Sequence, residues 1–124
     1  MRYFNINEFN CRCCGQNKME PSFLARLDDF RHLMAFPFLV NSGYRCSKHN
    51  SSVSTTGENG PHTLGRAVDL RVSGERALRL VSQARQFGFT GVGLMQKGPI
   101  EGRYIHIDDL PGTAKGPRPH IWTY

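Results

Sequence analysis

The stretch "GPHTLGRAVDL", residues 60–70, sets a histidine in a Gly/Pro-rich turn and, seven residues later, an aspartate inside an apolar run. Ala67, Val68 and Leu70 around Asp69 read as a buried strand. A lone carboxylate there is costly, so it must take up a proton or meet a cation. Strand alternation puts Arg71 on the face of Asp69 and Arg66 on the opposite one, so an Asp69–Arg71 pair is one solution. A second set of ionisable side chains lies in "YIHIDDL", residues 104–110. His106 and Asp108 leave one face of that strand together with Tyr104, while Ile105 and Ile107 take the other. His62, Asp69 and His106 together make a two-histidine, one-carboxylate set, the donor set of an open zinc site. Zn²⁺ takes four ligands, with nitrogen or oxygen at about 2.0–2.2 Å, so three protein ligands leave one corner for water. Two neutral imidazoles and one carboxylate leave the centre net positive, hence a good Lewis acid that brings the pKa of water down to roughly 7.

These residues need a scaffold to meet. "EPSFLARLDDFRHLMAF", from Glu20, has the helical period in Phe23, Leu24, Leu27, Phe30 and Leu33 or Met34, with Pro21 in the first turn and Pro37 as the stop. "FLVNSGY" reads as a short strand entering a turn at Ser42-Gly43. Residues 47–61, "SKHNSSVSTTGENGP", are polar and turn-rich and read as a surface loop ending beside His62. "RAVDLRV" is a strand, and "GERALRLVSQARQFG" a helix whose buried face is Ala77, Leu78, Val81, Ala84 and the stem of Arg85. "TGVGLM" and "RYIHIDDL" are two further strands, joined by "QKGPIEG". The tail "PGTAKGPRPHIWTY" reads as extended and Pro-rich, with Ile121 and Trp122 anchoring it; Trp122 and Tyr124 either line a groove or, as favoured here, close a core. The expected fold is α+β: one domain over residues 1–124, with a small, mostly antiparallel sheet and flanking helices.

"HTLGRAVD" closely matches the H-x-x-G-x-A-x-D motif of the M15-type D-alanyl-D-alanine metallopeptidases. "SGYR" before it and "GVG…YIHID" after it occur in the same order in the cell-wall branch of that family, and "FNCRCCGQNKM" with "NSGYRCSKHN" resembles its small bacteriophage members. The resemblance runs from Phe4 to Trp122. It implies the α+β fold shared with the signalling domain of hedgehog proteins, zinc on His62, Asp69 and His106, and hydrolysis of a peptide bond in peptidoglycan. Gly65 then turns the chain between two ligands, and small Ala67 leaves room near the metal. Arg45 matches the family arginine that holds the substrate carboxylate or the oxyanion, with Ser42 as a supporting hydrogen bond. Other branches carry an acidic base three residues before the last histidine; here that place is Arg103, which cannot serve. Asp108 is the expected general base, with His120 and Glu101 in reserve; an exchange of roles, Asp108 on zinc and His106 beside it, is equally allowed by the spacing. The partner implied is the peptidoglycan stem peptide, cut by a carboxypeptidase or an endopeptidase. The setting implied is that of an endolysin, made in the cytoplasm and released by a holin.

Four cysteines stand apart from this chemistry. Cys11-x2-Cys14 with Cys46-x2-His49 has the spacing of a Cys₃His structural zinc site; a disulfide and free thiols are the other readings. Sixteen Lys and Arg give a formal charge of +6, which favours an anionic partner such as a bacterial wall. They are scattered without a basic block, which argues against nucleic acid. "MRYFNINEF" lacks the apolar core of a signal peptide, and no apolar run approaches the roughly 18 residues needed to cross a membrane. A monomer is expected. Two rivals remain: a non-catalytic zinc-bearing binding module on the same fold, and a basic phage structural or nucleic-acid-binding protein. The second leaves His62, Asp69 and His106 unexplained.

Overall fold

The computed structural model describes residues 1–124. After a short 3₁₀ turn at Ile6–Phe9 the regular elements are α1 (Pro21–Met34), β1 (Leu39–Ser42), α2 (Ser47–Val53), β2 (Ala67–Arg71), α3 (Gly74–Ala84), β3 (Gly91–Met95), β4 (Tyr104–Asp108) and β5 (His120–Thr123). The five strands form one sheet in the order β1-β2-β4-β3-β5. Three of its four pairings are antiparallel, and β5 joins β3 in parallel. The α+β expectation with a mostly antiparallel sheet therefore holds. No helix is long and apolar enough to cross a membrane.

Alternation along the central strands divides the chemistry. Val68 and Leu70 of β2, Ile105 and Ile107 of β4, and Val92 of β3 enter one core with Phe23, Leu24, Leu27, Phe30 and Met34 of α1 and Ala77, Leu80 and Ala84 of α3. The opposite face carries Ala67 and Asp69, then Tyr104, His106 and Asp108, then Gly91 and Gly93, and last Trp122. Register fixes their spacing: Asp69 lies across from His106, and His106 across from Gly93. A helix-backed apolar layer thus holds a polar layer in place, and the polar layer is the site.

Four readings are corrected. Residues 47–53 are helical rather than loop, with Cys46 as N-cap: its Sγ accepts the His49 N–H. The buried face of α3 is turned so that Leu80, not Leu78, enters the core beside Ala77 and Ala84; Leu78 and Arg85 are exposed. The tail gains a strand, and its anchor is Trp122 alone, because Ile121 stays exposed. Helix α1 ends at Met34, ahead of Pro37, on Ala35 in the left-handed conformation.

Candidate metal centre

His62 arrives from the turn between α2 and β2, Asp69 from the middle of β2 and His106 from the middle of β4. All three are buried, and one donor atom from each lies within 4.8 Å of the others. His62 Nε2 is 3.3 Å from Asp69 Oδ1, and His106 Nδ1 is 3.1 Å from the same oxygen. Ligands at about 2.0–2.1 Å from a tetrahedral ion stand about 3.3 Å apart, so these separations match a shared metal.

The outward ring nitrogens supply an independent test. His62 Nδ1 lies 2.8 Å from the Gly43 carbonyl, and His106 Nε2 lies 2.7 Å from Asp108 Oδ2. Both outer partners are acceptors, so the single proton of each neutral imidazole belongs on the outer nitrogen. The inner nitrogens then turn lone pairs toward Asp69 Oδ1. Two lone pairs against a carboxylate repel, and a cation at their common point makes all three contacts attractive. The residues therefore fit a zinc ion. With ligands alone, burial pushes His62 down. At His106 burial opposes, but Asp108 and Asp69 prevail and raise it, as a proton stands in for the cation. Burial would raise Asp69, yet His62 and His106 hold it well below the carboxylate range.

A surrounding shell orients these groups. Arg45 donates from Nη2 to Asp69 Oδ2 at 2.9 Å, from Nε to Ser42 Oγ at 3.0 Å and from Nη1 to Asn50 Oδ1 at 3.3 Å. A guanidinium has five N–H donors, so two remain uncommitted. Asn50 is buried on α2 and donates to Thr56 and Gly57, which ties the helix to the following turn. Arg118 grips Asp108 with two bonds, Nε to Oδ1 and Nη2 to Oδ2, each 2.9 Å. Burial raises Asp108, while His106 and Arg118 outweigh it and bring it to about 2. The Trp122 indole packs on the His106 ring at 5.1 Å between centroids.

Glycines make this shell possible. A side chain at Gly91 would collide with the Asp108 carboxylate, and one at Gly93 with the Trp122 indole. Gly65 has φ +70°, and a Cβ there would strike the Lys18 carbonyl. The turn between His62 and β2 thus needs glycine twice over.

His62, Asp69 and His106 converge as expected, and Ser42 and Arg45 lie beside them. Asp69 pairs with Arg45 rather than with Arg71, while Arg66 binds Asp109. Asp108 is fully buried and is not among the three converging donors, and both of its oxygens are engaged. The carboxylate expected as general base thus stands behind His106, bonded to the imidazole and to Arg118. His120 is exposed on β5, stacked on Trp122; Glu101 is exposed in the 3₁₀ turn Ile100–Gly102. Sequence reasoning missed Asn50 and Arg118. The signal for Arg118 was its place two residues before the tail strand; Asn50 gave none.

Fold and donor set together define a class: small α+β metallohydrolases with a two-histidine, one-carboxylate centre on the open face of the sheet. Residues 2–108 match the family described as Peptidase M15, and the chain belongs to that family of metallopeptidases. The match stops short of Arg118 and Trp122. No curated protein matches the chain significantly.

Proposed function

We propose that the protein hydrolyses a peptide bond in the stem peptides of bacterial peptidoglycan, with zinc held by His62, Asp69 and His106, and that it serves as an endolysin. The observation that carries this reading is the convergence of three buried donors, with both imidazoles at metal-sharing distance from Asp69 Oδ1, in a chain of the M15 family. When bound, zinc supplies Lewis acidity for the carbonyl oxygen and for water. The chain's own groups do the positioning. Arg45 engages Asp69 Oδ2, which leaves Oδ1 for the metal, and its two uncommitted N–H groups suit a substrate carboxylate or a developing oxyanion. Gly43 and Asp108 fix the two imidazoles in the tautomers that ligation requires. The excess of positive charge favours dwelling on an anionic wall.

The test is digestion of purified sacculi followed by mass spectrometry, with zinc-loaded protein and with chelator. Loss of terminal D-alanine marks a carboxypeptidase; a cut cross-link or a cut within the stem marks an endopeptidase. Chelator should abolish either and added zinc restore it. Intact sacculi and intact stem peptides after treatment with the zinc-loaded protein would overturn the reading. The endolysin setting has its own check: cytoplasmic expression alone should leave cells whole, and co-expression with a holin should lyse them.

A further inference from the structure

The four cysteines take no part in that chemistry, yet the fold gathers three of their sulfurs. Cys11, Cys13 and Cys14 occupy the turn after the first 3₁₀ helix, and Cys46 caps α2. None is in a disulfide. The Sγ atoms of Cys11, Cys14 and Cys46 lie within 4.8 Å of one another. Tetrahedral zinc with Zn–S bonds of about 2.3 Å spaces its sulfurs about 3.8 Å apart, which falls inside that limit. Cys13 is exposed and stands next to Cys14 in the same turn. Three members of the Cys₃His expectation thus converge; neither the His49 ring nor the Cys13 thiol is among the donors within that distance, and the His49 backbone N–H donates to Cys46 Sγ at 3.4 Å.

The backbone around the Cys11 sulfur is shaped for a thiolate. Cys11-x2-Cys14 is followed by Gly15 at φ +77°, whose N–H donates to the Cys11 carbonyl at 2.9 Å and closes a tight turn. The Cys46 N–H donates to Cys11 Sγ at 3.3 Å, and the amides of Cys13 and Cys14 face the same sulfur. Amide donors favour the charged form of a thiol, the form that binds metal. At Cys11 burial opposes them and the amides prevail, so its pKa falls to about 7. Neutral thiols are weak donors and gain little from such an arrangement.

We propose that this cluster binds a second, structural zinc ion, with Cys11, Cys14 and Cys46 as ligands and Cys13 as the fourth. Four thiolates leave no open corner and give the centre a net negative charge, so the ion serves folding and not hydrolysis. Binding releases one proton from each thiol that still carries one, so affinity falls as pH drops. The ion would clamp the amino-terminal turn to residue 46, next to Arg45, and so steady the arginine that engages Asp69. The inference does not depend on the peptidase reading.

The full chain, purified with reductant and stripped by chelator, is reloaded with zinc or cobalt(II). Two equivalents of zinc are expected per chain, and cobalt should give an intense thiolate-to-metal band in the near ultraviolet. His62→Ala with His106→Ala should keep that band and one equivalent. Cys14→Ser with Cys46→Ser should lose the band and keep the other equivalent. Cys13→Ser should weaken the band, and His49→Ala should leave it unchanged. Should the double-serine chain fail to fold, alkylation of the wild type decides: zinc should shield the four thiols, counted by mass. Equal alkylation with and without zinc and no cobalt–thiolate band would overturn the proposal, as would a mass showing a disulfide in the freshly purified chain. A band lost with His49→Ala but kept with Cys13→Ser would overturn the assignment of the fourth ligand.

Discussion

At the scale of the residue, the most consequential contact is the two-pronged grip of Arg118 on Asp108. Asp108 fixes the His106 ring through Nε2, and Arg118 keeps both carboxylate oxygens in place. Loss of such an orienting partner typically weakens metal affinity by about 10- to 100-fold. Asp108→Asn and Arg118→Met should therefore each bind zinc about 10- to 100-fold more weakly in competition with a chromophoric chelator, and should recover activity when zinc is raised. A proton shuttle would behave otherwise: Asp108→Asn would bind zinc normally and stay inactive at any zinc concentration. Gly65 offers a second prediction. With φ +70° and the Lys18 carbonyl against it, Gly65→Ala should cost about 2 kcal/mol or more, read as a fall in the denaturant midpoint.

At the scale of the element, the site was legible where periodicity and chemistry coincided. Asp69 stood out because it broke an apolar strand, and His106 because it alternated with isoleucines; both lie where that pattern puts them. Helix α2 was not legible. Its seven residues bury only Asn50, so no apolar stripe marks it, and a helix that short owes its existence to its Cys46 cap and to tertiary contacts. Strand β5 was hidden in a Pro- and Gly-rich tail, since Ile121 remains exposed and Trp122 serves the polar face. Helix α1 carries the element-scale prediction. Its Asp28 is buried and accepts from the backbone N–H groups of Arg2 and Tyr3 and from Arg2 Nε at 2.9 Å, which ties the amino terminus to the helix. Burial raises the carboxyl, but Arg2 and the two amides outweigh it and hold it below its ordinary value. A depressed folded-state pKa stabilises the fold above the unfolded value of about 3.9 and loses that contribution as pH falls through the folded value. Asp28→Asn should cost about 1–2 kcal/mol at pH 7, discounted for the half-exposed Arg2, and the gap to wild type should close under acid.

At the scale of the whole molecule, the sheet separates two tasks, an apolar face that makes the core and a polar face that holds the ligands. The polar face draws its ligands from a turn and two strands, and its supports from β1, α2 and the tail. None of these segments alone gathers the donors, so an ion bound there and the fold would stabilise each other. A ligand that binds only the folded chain adds RT ln(1 + [L]/Kd), about 2.7 kcal/mol at one hundred times Kd. Chelation should therefore lower the melting temperature as well as stop hydrolysis, and zinc titrated back should raise both in parallel. The dependence on each ligand separates this from a general salt effect: His62→Ala should melt at one temperature with and without micromolar zinc, once the cysteines are blocked by alkylation. A His62→Ala chain that still gained stability from zinc under those conditions would show that the ion does not sit between His62, Asp69 and His106.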